Sequence, residues 1–129
     1  METINIEFKE SNLQSVKLSH RRHFILHDII SIIKTHFSII IDIEYSEVVD
    51  NDGVIDHHIP QMVSDWLGGV NVSTHACSTV IDFLENAYHI PRSVRNDYST
   101  EYLCNLETLV EYINTYSTVE IGVYNGRNY

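Results

Sequence analysis

Basic residues are scarce in this 129-residue chain. Eight lysines and arginines face eighteen aspartates and glutamates, for a formal net charge of -10. Between Lys34 and Arg92 there is no lysine and no arginine at all. The same stretch holds Asp42, Glu44, Glu47, Asp50, Asp52, Asp56, Asp65, Asp82 and Glu85. A run of one sign produces a strong negative field. It argues against direct nucleic-acid binding, which depends on cations that displace counterions from phosphates. It argues equally against an anionic membrane surface and favours a basic partner.

Other absences narrow the field further. The two cysteines, Cys77 and Cys104, form no CxxC pair. In a chain with an adequate core they read as buried cytosolic thiols. The opening METINIEFKE has no basic start and no apolar stretch, so it does not read as a signal peptide. The longest apolar run, from Phe24 to Phe37, is interrupted by His27, Asp28, Ser31 and Lys34. It falls short of the roughly 18 residues that suggest a bilayer span. The expected location is the cytoplasm. Repeats, low-complexity tracts and linkers are missing, and one globular domain over 1–129 is expected. A chain of 14.9 kDa buries about two-thirds of its unfolded surface.

Recognisable chemistry is missing as well. The sequence contains no GxSxG, P-loop, HExxH or Cys/His zinc spacing. Asp50, Asn51, Asp52 and Gly53 resemble a calcium loop in composition. Gly53 at the sixth position would put Val48 first, where a carboxylate is needed. A hairpin turn explains the four residues more simply. The eight histidines include His20, His23 and His27 on one helical face and the neighbours His57 and His58. Their spacing assembles no zinc tetrahedron. No cofactor, metal or catalytic residue is assigned.

Hydrophobic periodicity supplies the expected fold. Ile4, Ile6 and Phe8 alternate with polar residues as a strand would, as do Ile41, Ile43 and Tyr45, and Val119, Ile121 and Val123. Val54 to Ile59 could return from the Asp-Gly turn. Helical spacing dominates elsewhere. Ser19 would cap a helix to about Phe37, with Ile25, Leu26, Ile29, Ile30, Ile32 and Ile33 on its apolar face. Pro60 would open a short helix carrying Met62, Val63, Trp66 and Leu67, stopped by Gly68 and Gly69. Ser73 or Thr74 would cap one bearing Cys77, Val80, Ile81, Leu84 and Tyr88. Ser99 would cap a last one bearing Leu103, Leu106, Val110 and Ile113. The result is an α+β layout: a small, mostly antiparallel or mixed sheet of three to five strands, with about four helices on one face.

Charge and composition together suggest function. The leading expectation is a small acidic, non-enzymatic inhibitor that occludes a basic protein partner. An immunity protein or antitoxin against a nuclease toxin would fit, as would a phage protein blocking a nucleic-acid-binding defence complex. The expected contacts are Asp42, Glu44, Glu47, Asp50, Asp52 and Asp56, with Tyr98 and Tyr102 as aromatic anchors. The bland reading of the carboxylates is solubility, and of the tyrosines core-edge packing with wet hydroxyls. Two further classes stay open: a metal-dependent enzyme or sensor using the histidines, and a self-assembling subunit that buries its strand edges.

Overall fold

The computed structural model describes residues 13–43, with 13–20 as backbone alone, 47–49 and 55–120. These residues form six helices: α1 (Leu13–His36), α2 (Ile59–Trp66), α3 (Thr74–Ala87), α4 (Arg92–Arg95), α5 (Thr100–Leu103) and α6 (Leu106–Tyr116). Helix α1 packs against α3 and α6, α5 against α3 and α6, and α2 against α3.

The expected sheet is not found. Among the described residues, β structure is a single antiparallel bridge between His58 and Asn105. The strand expected at residues 4–9 lies outside the described residues. So do the Asp-Gly turn and most of the closing strand. The strand expected through Ile41, Ile43 and Tyr45 is not formed over its described residues, 41–43; the β-branched run that leads into it, from Ile39, is the end of a helix. The Ile39 amide reaches back to the Lys34 carbonyl at 2.8 Å and the Ser38 amide to Thr35 at 3.3 Å. Ser38 takes φ +55°. This is a Schellman closure, in which a left-handed residue turns the chain and an apolar residue plugs the end. Ile39 is that plug and is buried. Its neighbour Ile40 is 95% exposed, as no core strand residue would be.

The same closure recurs. Helix α3 ends with Ile90 bonded to the Glu85 carbonyl at 2.9 Å, His89 at φ +52°, and Ile90 buried. Helix α2 ends with Gly69 bonded to the Ser64 carbonyl at 2.7 Å and Gly68 at φ +78°. Only α2 uses glycine at the turning position. At the other two, burial of the following isoleucine holds a non-glycine residue in a conformation it disfavours.

The helices follow the apolar stripes of the sequence. Ile25, Ile29 and Ile33 of α1 are fully buried, with Cys77, Val80, Ile81 and Leu84 of α3, and Leu106, Val110 and Ile113 of α6. Helix α1 starts at Leu13 rather than after Ser19. No proline or glycine interrupts 13–36, so nothing stops helix propagation. The expected last helix is divided. Ser99 caps α5 by accepting from the Tyr102 amide at 3.0 Å. Asn105 starts α6 afresh, its side-chain oxygen accepting from Glu107 and Thr108 amides at 2.9 and 3.3 Å. Helix α4 has no counterpart in the expected layout.

Polar struts fix α1 across its neighbours. Arg22 grips the Glu111 carboxylate through Nε and Nη2, the latter at 3.0 Å. That pairing raises the Arg22 pKa. Arg21 Nε donates to Asn114 at 2.7 Å. The Tyr88 hydroxyl of the α3 cap donates to Asp28. No helix of the described residues is long and apolar enough to cross a membrane.

Replacing the strained residues tests the closures. Ser38→Gly and His89→Gly should each stabilise the protein by about 0.5–1 kcal/mol, because glycine adopts positive φ without a Cβ clash. Urea unfolding measures this, and equal or lower midpoints would show that neither position is strained.

Candidate acidic cleft

Two of the sequence-selected carboxylates come together. Glu47 and Asp56 line a cleft of about 230 Å³ with His57, His58, Gln61, Met62, Asp65 and Trp66. Among the described residues, its walls contain three carboxylates and no lysine or arginine. The volume lies below the ~300 Å³ lower end of drug-sized pockets, which suits one side chain better than a cofactor.

Local structure explains how the walls are held. Val48 is buried in the core and fixes Glu47, exposed beside it. The 55–59 segment is laced to the α5–α6 junction. The Ile59 amide donates to the Cys104 carbonyl and the Leu106 amide to the His57 carbonyl, both at 2.7 Å. Asn105 completes the junction. While its oxygen caps α6, its Nδ2 donates to Asp56 Oδ1 at 2.6 Å. On the far wall, Pro60 sits at the start of α2, where its missing N–H costs nothing. Gln61 donates to Asp65 at 3.0 Å, one helical turn on. Trp66 and Met62 supply the apolar surface.

The other selected residues are placed elsewhere. Asp42 lines a different hollow with His27, Ser31 and Lys34. Its side chain is 95% exposed and stands 4.0 Å from the Lys34 ammonium. Glu44, Asp50 and Asp52 lie outside the described residues. Tyr98 and Tyr102 belong to an aromatic cluster on α4–α6. Tyr98 stacks on Tyr102 at 5.9 Å, meets the edge of Tyr112 at 5.1 Å, and shares a 2.8 Å hydrogen bond between its hydroxyl and that of Tyr116. Tyr98 is therefore committed to packing, whereas Tyr102 is 54% exposed.

Beneath the cluster lies a buried carboxylate. Glu85 accepts from the Tyr112 hydroxyl at 2.7 Å and pairs with Arg95 at 3.1 Å. Arg95 also reaches Asp82 at 3.3 Å. Burial raises the Tyr112 pKa, and the Glu85 contact adds to the shift. Tyr88 is raised by burial and by Asp28. Tyr98 is pushed up to about 12, chiefly because its hydroxyl is held by Tyr116.

A roomier hollow, about 570 Å³, is lined by Ile32, Thr35, His36, Phe83 and Ala87. Among the described residues, no group of three or more His, Cys, Asp or Glu is placed to hold a metal ion. Sequence reasoning overlooked Asp65 and Asn105, and read Trp66 only as helix packing. The Gln61–Asp65 spacing of one helical turn was the available signal for Asp65. Nothing local announces that Asn105 meets Asp56, 49 positions away. No known protein family, curated protein or solved structure matches the chain.

Exchanging donor and acceptor tests the Asn105 strut. Asn105→Asp keeps a capping oxygen but sets a second carboxylate against Asp56, and should cost about 1–2 kcal/mol. Adding Asp56→Asn should recover most of the loss, because the donor then sits on the other side. Additive losses in urea unfolding would show that the contact is idle.

Alkaline pH tests the tyrosines. Unfolded tyrosines lose their protons near pH 10. The raised hydroxyls of Tyr88, Tyr98 and Tyr112 keep theirs longer in the fold. Their stabilisation is complete below the unfolded value and is lost as pH climbs through the folded values, about 12 for Tyr98. Tyrosinate absorbance should therefore rise in two stages, the later one together with loss of helical circular dichroism. A single early stage with the helix intact would contradict this.

Proposed function

We propose that this chain is a small acidic binding protein that neutralises a basic protein partner by occluding it, as an immunity protein, antitoxin or anti-defence protein would. One observation carries the reading: Glu47, Asp56 and Asp65 converge with Trp66 and Met62 on a cleft that, among the described residues, no lysine or arginine lines. Carboxylates around an apolar floor match a guanidinium or ammonium on its alkyl stem. The charged head meets oxygen, the stem lies on Met62, and the indole face attracts a cation. A nucleic-acid-acting partner suits this chemistry, because its own substrate site is lined with such cations. The acidic field of the chain would speed encounter, and the cleft would hold one inserted side chain.

The described residues offer no sheet edge to the self-assembly reading, and the strands expected at 4–9 and 121–123 lie outside them. The histidine-metal reading finds no ligand cluster among those residues.

Trp66 is the only tryptophan, so its fluorescence reports on the cleft. Titration with an arginine-rich peptide should change it saturably, with affinity falling as salt rises from about 0.1 to about 1 M. Glu47→Lys, Asp56→Lys and Asp65→Lys should each weaken binding about tenfold, near 1.4 kcal/mol. Asp42→Lys, outside the cleft, should have a smaller effect. Equal losses at all four positions would reduce the interaction to net charge, and a silent Trp66 would exclude the cleft.

A further inference from the structure

Two groups on the cleft walls take no part in holding a foreign cation. His57 and His58 line the cleft beside Glu47, Asp56 and Asp65. Histidine is the side chain that ordinarily changes charge between pH 5 and 8. Neutral, it leaves the carboxylates open to an incoming cation. Protonated, it is itself a flat cation that hydrogen-bonds carboxylates and rests on an indole face.

The backbone holds both histidines at the site. The His57 amide donates to the Ile55 carbonyl at 2.9 Å, and the His57 carbonyl accepts from the Leu106 amide at 2.7 Å. His58 is bridged to Asn105, and its carbonyl accepts from the Met62 amide at 3.0 Å. His58 precedes α2 without a side-chain capping bond, so its imidazole is not committed to the helix. His57 is half-buried and His58 exposed, which leaves both open to protons from solvent.

From this arrangement, we infer that His57 and His58 gate the cleft by protonation: it is open to a guanidinium or ammonium of the partner above neutrality, and occupied by the chain's own imidazoliums in mild acid. The inference rests on the basic-partner reading and adds its regulation.

The surrounding charges set the direction. Glu47 faces the histidines from 47–49, Asp56 from their own segment and Asp65 from α2. The α5–α6 junction meets them through backbone groups and the Asn105 side chain. Its titratable residues are the buried Cys104 and Glu107, in the first turn of α6. The charged groups lining the cleft are thus all acidic among the described residues, and two imidazoliums would cancel two of its three negative charges. Proton and foreign cation compete for the same carboxylates. Binding the cation expels protons, and by the same coupling added protons expel the cation. Affinity is therefore full above the range in which histidine titrates and falls as pH drops through it.

The test is titration of Trp66 fluorescence with an acetylated arginine-rich peptide that lacks histidine, near pH 8 and again near pH 5.5. Guanidinium stays charged throughout, so the peptide itself does not titrate. Salt at about 0.15 M keeps the Debye length near ~8 Å and screens histidines far from the cleft. Affinity should be about tenfold weaker at the lower pH. The double variant His57→Gln, His58→Gln, its fold checked by circular dichroism, should reduce that ratio to less than about twofold, whatever its affinity at the higher pH. The double variant His36→Gln, His75→Gln removes as many titratable groups outside the cleft and should keep the full ratio. Calorimetry of the unaltered protein near pH 6.5, in buffers of different ionisation heat, should show protons released on binding. Equal affinity at the two pH values, or equal flattening by both double variants, would overturn the gate and leave the cation cleft standing. A silent Trp66 at both pH values would remove the cleft reading itself, and the gate with it.

Discussion

The structure depends on burying one face of α1. Ile25, Ile29 and Ile33 stand one helical turn apart and are all fully buried. Each such side chain is worth roughly 1.5–3 kcal/mol when removed from water. A stripe this continuous needs cover along its length, and α3 and α6 supply it. Hydrophobic contact alone would let them slide along α1. The struts from Arg21 to Asn114, Arg22 to Glu111 and Tyr88 to Asp28 tie particular residues to particular residues. Dry burial supplies the energy, and half-buried polar pairs at its margin choose the alignment.

The interior also contains a charge. A carboxylate as enclosed as Glu85 is costly unless its oxygens are satisfied. Tyr112 from α6 and Arg95 from α4 do this together. The requirement accounts for α4, a helix too short to be stable alone. Arg95 at its end bridges Glu85 and Asp82 of α3. Removing Arg95 would leave the Glu85 carboxylate enclosed without its cation. The network therefore favours one docking of α4 to α6 on α3, even where an apolar core of equal volume would be no less stable.

How far the sequence revealed this follows from the same forces. The stripes of α3 and α6 were legible because burial on a helix imposes a 3.6-residue period, and every residue assigned to those stripes is buried. Helix starts at Ser73 and Ser99 were legible because a hydroxyl cap acts within three residues. The expected strand after α1 was a misreading, since alternation over a few β-branched residues has more than one cause. Ile39 is buried as the plug of a helix end, while Ile40 points to water. Ser38 and His89, which turn the chain, carry no mark in a sequence where glycine is the expected signal. The cleft was half legible. Glu47 and Asp56 stood out by charge, but Asn105 and Trp66 enter through contacts between distant segments.

The scarcity of cations then takes on a spatial meaning. The cleft walls lie between positions 47 and 66, wholly inside the stretch without lysine or arginine. Arg21, Arg22, Lys34 and Arg95 each face a polar or acidic partner elsewhere on the helical body. A solubilising charge could be spread anywhere and would tolerate an arginine beside Asp56 or Asp65. A receptor for a cation would not, because an internal cation would have to be displaced before a foreign one could bind. Under the proposed reading, an incoming guanidinium would form ion pairs here without breaking any between these carboxylates and a lysine or arginine of the described residues. Part of the cost of arranging them is already met by the folding contacts from Asn105 and Gln61. The absence of positive charge and the bracing of negative charge thus act in the same place and in the same direction.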